Sequence, residues 1–286
     1  MATIVGVHGI NQQLKGSAVL QSEWWPSLQS GIAAASREVG NASLTCAFYG
    51  GLFRAAGSQR SGGAEPAYRP ADVEDDFEKE LLDVWWQEAA AAEPQRVVNP
   101  QAAVRGTPGL VQAGLRALSH SRFFAGMAER AMIGSLKQVR YYMRDPDIRT
   151  AAQEAVDAVV TAETRVLVAH SLGTVVAYEA LHRYAAAEKW ANVRTLVTMG
   201  SPLGIRNLIF DRLSPAPVNG QGQWPALLKR WVNISDDGDV VALLKRLGDV
   251  FRGVVDFRID NEALAHDASP YLTADATGAA IADGLQ

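Results

Sequence analysis

The sequence predicts an α/β chain with a mostly parallel central sheet and helices on both faces. Short β-branched runs alternate with longer helical patterns, the rhythm of parallel strands joined by crossover helices. The first run, residues 3–7, is almost wholly apolar, as a strand buried on both faces has to be. The chain has 286 residues, 48% of them hydrophobic, enough for one large core without disulfides or metals.

Local signals place the elements in order. A helix is expected over 22–39, with Ser22 as its cap and Gly40 just past its end. Residues 43–49 form the second strand. Residues 54–72 are rich in Gly, Ser, Ala and Pro and read as a loop. Helical patterns near 73–92, 109–118 and 121–143 follow with no convincing strand between them. Residues 54–143 are therefore expected to be a helical insertion or lid within a single domain spanning 1–286. Asp145 caps the next helix, with Pro146 at its first position, and the pattern runs to about Thr161. The βα rhythm then resumes with a strand at 165–169, a helix at 172–187, and strands at 195–199, 230–234 and 254–259. No internal repeat is present.

Composition excludes several function classes. Lys plus Arg count 27 against 31 Asp plus Glu, a formal charge of −4. That balance gives no reason to expect nucleic acid or an anionic membrane as partner. The acidic cluster of Glu74, Asp75, Asp76, Glu78 and Glu80 reads as a solvated helix start. Cys46 is the only cysteine, so no internal disulfide forms, and its apolar setting suits a buried small hydrophobe. The first residues lack a signal-peptide pattern, and no stretch approaches the ~20 apolar residues of a membrane span. A cytoplasmic protein is the expectation. No His, Cys, Asp and Glu set has metal-ligand spacing and no Gly-rich phosphate loop is seen, so no cofactor is expected.

The most informative stretch is Val166-Leu167-Val168-Ala169-His170-Ser171-Leu172-Gly173. An apolar strand runs into a turn and a helix begins at once. A serine there holds its hydroxyl above the sheet in a crowded backbone conformation. Small residues two before and two after it, here Ala169 and Gly173, relieve the crowding. The Leu172 N–H, at the positive end of the following helix, suits a developing oxyanion. The competing reading is that Ser171 simply caps that helix. A serine hydroxyl becomes a good nucleophile only when a histidine takes its proton, and the histidine needs an acid to fix its tautomer.

Four further segments bear on this chemistry: Val5-Gly6-Val7-His8-Gly9-Ile10-Asn11, Met199-Gly200-Ser201-Pro202-Leu203-Gly204, Trp231-Val232-Asn233-Ile234-Ser235-Asp236-Asp237-Gly238-Asp239-Val240-Val241-Ala242, and His266 ahead of Tyr271-Leu272. Together with the serine turn they resemble lipases and esterases of the α/β-hydrolase superfamily. The four resemble that family's oxyanion loop, Gly-Ser-Pro turn, acid loop and histidine loop respectively. The resemblance covers most of the chain and leaves 50–143 outside it. It implies the α/β-hydrolase fold and the chain order serine, acid, histidine.

Of the five histidines only His266 satisfies that order. His8 and His170 lie in motifs with other roles, and His120 precedes the serine. His182 lies three turns along the helix from Ser171, about 16 Å away. Asp239, before Val240-Val241 where the family carries Pro-Val or a similar pair, is the expected acid. Asp236 and Asp237 in the same loop are the alternatives, with Asp236 expected to shape the loop. Ile10 and Leu172 are the expected oxyanion donors, with Gly9 shaping the turn and Asn11 able to add a side-chain amide. His8, Gly9, Asn11 and His170 are the residues expected around the substrate. Within that group His8 braces the loop and His170 packs.

The bond cleaved is not legible in such a triad, since esters, thioesters and peptides share acyl-enzyme chemistry. Trp85-Trp86, Phe123-Phe124 and Tyr141-Tyr142 are expected mostly in the core, and any that reach the pocket make the acyl group apolar. The expected substrate is a small-molecule or lipid-like carboxylic ester. A serine peptidase or thioesterase on the same triad is one alternative. A catalytically inactive interaction or regulatory protein of this fold is another, kept open by Ala169 and Val240.

Overall fold

The computed structural model describes residues 3–54, 67–99, 109–124, 127–260 and 266–286. Six strands form one sheet: β1 (Ile4–Val7), β2 (Leu44–Ala47), β3 (Val166–His170), β4 (Thr195–Met199), β5 (Arg230–Asp236) and β6 (Val255–Ile259). Their spatial order is β2-β1-β3-β4-β5-β6 and every neighbouring pair is parallel. The sheet is thus wholly parallel where a mostly parallel one was expected.

Alternation along the strands divides the core in two. Ile4, Val166, Val168, Val197, Met199, Val232 and Ile234 face one side. Val5, Val7, Leu167, Ala169, Leu196 and Trp231 face the other. The first side is covered by α1 (Ser17–Ala34), α7 (Ala268–Thr273) and α8 (Asp275–Leu285). The second is covered by the cluster containing α2 (Asp76–Ala92), α3 (Gly109–Ser119), α4 (Glu129–Arg144), α5 (Pro146–Asp157) and α6 (Leu172–Arg183).

The α1 boundaries correct the sequence expectation. The helix opens after Gly16, which is extended at φ −150°, and Ser22 lies inside it with its hydroxyl on the Val19 carbonyl at 2.8 Å. It stops at Ala34, because Ser36 turns left-handed at φ 55°. The two C-terminal helices were not anticipated, since α7 spans only six residues and the alanine- and glycine-rich α8 lacks a strong apolar period.

The loop expected over 54–72 lies outside the described residues except at 54 and 67–72. The described helices of the 54–143 stretch bury Phe77, Trp85, Leu115, Ile133, Leu136 and Tyr142 in the same cluster as the sheet residues, so they share its core. The pattern over 121–143 becomes helical only at Glu129. Before it, the Ser121 hydroxyl and Arg122 N–H are held by the Glu93 carboxylate at 2.6 and 3.0 Å. A buried polar hub ties α4, α5 and α6 together. The Glu179 carboxylate accepts from the Tyr142 hydroxyl (2.6 Å), the Arg149 guanidinium, Gln153 Nε2 (3.0 Å) and Ser214 N–H (2.9 Å). Removing one partner of such a buried pair costs about 3–5 kcal/mol.

The register levels the strand ends: Val7 pairs with Ala169, His170 with Met199, and Met199 with Ile234. The chain leaves β1 toward β2 and leaves β3 toward β4, on opposite sides. The two strands therefore flank a topological switch point, where open parallel sheets form clefts beyond their carboxyl ends. Residues 8–12 and Ser171 lie at that place.

Candidate active site

Ser171 stands between β3 and α6 at φ 53° and ψ −133°, a left-handed backbone that a non-glycine residue adopts only when its surroundings impose it. Gly173 is part of that imposition. A Cβ there would come within 2.3 Å of the Val7 and His8 carbonyl oxygens, so only glycine lets α6 start this close to β1. The Ser171 side chain makes no capping bond to its helix. The capping reading therefore fails, and the hydroxyl is free for another partner.

That partner is His266, whose Nε2 lies 2.8 Å from Ser171 Oγ. Its Nδ1 lies 2.9 Å from Asp239 Oδ2. A carboxylate only accepts, so Nδ1 carries the proton, and in the neutral imidazole Nε2 accepts from the serine hydroxyl. The three residues come from three elements: the β3–α6 turn, the loop after β5, and the segment before α7. Asp239 is fully buried. Its Oδ1 takes the N–H groups of Val241 and Ala242 at 2.9 and 3.2 Å. Burial alone pushes its carboxyl upward. His266, Lys245 and Tyr271 outweigh burial and hold it below the ordinary carboxylate range.

The alternatives in the same loop have other work. Asp236 Oδ1 accepts Gly238 N–H at 2.7 Å, shaping the turn as expected, and Asp237 pairs with the Arg258 guanidinium at the surface. Sequence reasoning identified the Gly-Ser-Pro turn without assigning it a task, and the structure supplies one. Gly200 has φ 54°, and a Cβ there would lie 2.7 Å from Asp239 Oδ2 and 3.3 Å from His266 Nδ1. Its missing side chain is what leaves room for the histidine–aspartate bond. Tyr271, whose hydroxyl donates to Asp239 Oδ2 at 2.8 Å, was noticed in the sequence only as a neighbour of His266.

A cavity of about 320 Å³ opens onto Ser171 and His266, and His8, Gly9, Ile10, Asn11 and His170 all line it. Leu172 opens α6, where the first N–H groups lack intrahelical acceptors, and its side chain is buried. His8 is a brace, as expected. Its Nδ1–H donates to Gly9 O (2.7 Å), while Nε2 accepts from Tyr49 N–H (3.2 Å) and Gly50 N–H (3.3 Å). Its ring stacks on Tyr49 at 4.1 Å, and burial lowers its pKa to about 4.

Asn11, expected to be able to add a side-chain amide, is engaged elsewhere by part of its bonding capacity. Its amide donates to Ser135 Oγ (2.8 Å) and its N–H to Gln138 Oε1 (3.0 Å), tying the β1 loop to α4. His170 packs against His266 (ring centroids 4.8 Å apart) and Tyr271 (5.8 Å), and among the described residues its Nε2 has no hydrogen-bond partner. Burial, then the neighbouring His266, lowers its pKa to about 3.

The cavity also has an apolar wall, beside polar lining that includes Gln12, Lys15 and Glu23. Trp85, Phe123, Phe124 and Met127 form that wall. Phe123 packs on Phe124 at 4.5 Å and on the His266 ring at 5.0 Å, and Phe124 packs on Trp85 at 5.8 Å. Cys46 is buried away from this site, its thiol pushed up to about 12 by burial and by Glu23. Among the described residues no group of three or more His, Cys, Asp or Glu could hold a metal ion, and no helix is long and apolar enough to cross a membrane. Comparison with protein-family models, with curated proteins and with solved structures gives no match.

Proposed function

We propose that this chain is a serine hydrolase of the α/β-hydrolase type that cleaves compact carboxylic esters through an acyl-enzyme on Ser171. The observation that carries the reading is the unbroken line of hydrogen bonds from Ser171 Oγ through His266 to Asp239. It begins at a serine held in a strained turn above the sheet.

In this reading Ser171 Oγ attacks the ester carbonyl carbon while His266 Nε2 takes its proton. The charge that develops on the carbonyl oxygen is met by the N–H groups of Leu172 and Ile10. The tetrahedral adduct collapses, the C–O bond breaks, and the alcohol leaves with the proton from His266. A water molecule, deprotonated by the same nitrogen, then releases the acid and restores the serine. Asp239 stays ionised throughout and stabilises the imidazolium.

The apolar wall of Trp85, Phe123, Phe124 and Met127 suits an apolar acyl group. The cavity lies at the small end of the range for ligand sites, which favours a compact ester over an extended peptide. The α4 helix that follows Phe123, Phe124 and Met127 is tied to the β1 loop through Asn11, Ser135 and Gln138 and to α6 through the Glu179 hub.

A fluorophosphonate probe is expected to label wild-type protein at Ser171, with label and turnover of p-nitrophenyl butyrate both lost in Ser171→Ala. Losses on the order of 10⁶ in kcat accompany removal of such a serine. Folded wild-type protein that takes no label, or Ser171→Ala that keeps full turnover, overturns the reading.

A further inference from the structure

Asp239 receives more hydrogen bonds than holding a histidine requires. Oδ1 takes two main-chain N–H groups, and Oδ2 takes both His266 Nδ1–H and the Tyr271 hydroxyl. The tyrosine oxygen is itself occupied as an acceptor, by Asp236 N–H at 3.0 Å. With a main-chain donor on its lone pair, the hydroxyl directs its proton at Asp239. Tyr271 is fully buried on α7, so water does not compete for either bond.

We propose that Tyr271 is a positioning residue for the acid, sharing Oδ2 with His266 and so setting how much negative charge the imidazole feels. The inference rests on the reading of Ser171, His266 and Asp239 as one catalytic unit. The hydroxyl restrains rotation of the carboxylate, because Oδ1 is pinned by Val241 and Ala242 while Oδ2 has two donors converging on it. It also moderates the acid, since each donor to a carboxylate disperses part of its charge.

Other charged or titratable groups surround the cluster. Lys245 donates its ammonium to the Asp239 carbonyl, and His170 packs on both His266 and Tyr271. Asp236, Asp237 and Glu88 act on Lys245. None of these bonds to Oδ2, so a change of the tyrosine hydroxyl is felt there first.

The test follows the rate of fluorophosphonate labelling of Ser171 against pH, with the imidazole proton between His266 Nδ1 and Asp239 observed by proton NMR in the same samples. Tyr271→Phe removes one donor, so more charge faces the imidazolium. The acid limb of the labelling profile is expected to move to higher pH by about half a unit, with the proton resonance moving downfield. Placing 3-fluorotyrosine at 271, a stronger donor of nearly the same shape, is expected to move both readouts the opposite way. A role confined to packing moves neither.

An unchanged acid limb and an unchanged resonance in folded Tyr271→Phe overturn the proposal. If that variant does not fold, absence of the opposite shifts in the fluorotyrosine protein overturns it. Wild-type protein that takes no label at any pH sinks the hydrolase reading instead. The resonance, which needs no turnover, then decides for or against Tyr271 alone.

Discussion

The polar backing of His266 and the apolar wall of the cavity are built on opposite principles. Behind His266, out of the cavity lining, Asp239, Tyr271 and the Asp236 N–H form a buried hydrogen-bonded network, with Gly200 leaving room for it. Facing the cavity, Trp85, Phe123, Phe124 and Met127 form an aromatic and aliphatic surface contributed by the helical segment. The polar network tolerates almost no displacement, because hydrogen bonds weaken steeply with angle. The apolar wall controls what fits, and contacts of that kind adapt to shape with smaller changes in energy. Under the proposed function, chemistry and selectivity are assigned to different parts of the chain.

This division is broken most directly at the acid. Asp239→Asn keeps the shape of the side chain but reverses the donor and acceptor roles facing His266 Nδ1. A loss of about 10⁴ in kcat is expected, with little change in KM. Steady-state kinetics on p-nitrophenyl butyrate checks it, and a loss of tenfold or less means the polar network behind His266 does not govern the chemistry.

A smaller and differently shaped effect is expected from the apolar wall. Phe123→Ala opens space beside His266 and is expected to shift the acyl-length preference toward longer chains. The relative kcat/KM for octanoate over butyrate should change by about tenfold. An equal loss on all chain lengths places Phe123 with the catalytic groups and removes the distinction between the two regions.

The smallest effect concerns the seam between them. His8 and His170 are held neutral by burial, with pKa values lowered to about 4 and about 3 from the usual 6.5. Below pH 6.5 the unfolded chain binds protons that the folded protein refuses. The stability these groups contribute is therefore whole above pH 6.5 and falls as the pH drops toward their folded values. The slope is at most about 1.4 kcal/mol per pH unit for each histidine. Urea midpoints between pH 7 and 5 measure it. His170→Phe, which removes the unpartnered Nε2, is expected to flatten the slope, and an unaltered slope refutes this account of His170.

The two regions also differ in how far they can be read from the sequence. Ser171, Gly173 and the β3 strand are contiguous, so a strand, a strained turn and a helix start are all written within eight residues. The α/β class was legible for the same reason, since apolar runs and helical periods are local patterns. The α1 boundaries were not, because Gly16 and Ser36 set them through backbone conformation and not through a capping serine. Asn11 looked like a free amide, and its bonds to Ser135 and Gln138, more than 120 residues away, leave no local trace.

By itself the sequence determined an α/β chain with a mostly parallel sheet and a serine at a strand–helix turn, and, through resemblance, one histidine and a short list of aspartates. The tertiary structure alone decided that Asp239 is the aspartate facing His266, that Gly200 makes room for their bond, and that Tyr271 joins them. It also decided that the described helices of the stretch expected to be a helical insertion or lid share the core of the sheet, and that Trp85, Phe123, Phe124 and Met127 line the cavity. The physical reason is distance along the chain. Turn chemistry and apolar period act between neighbours, whereas which aspartate reaches a histidine depends on where a loop after β5 meets a segment before α7.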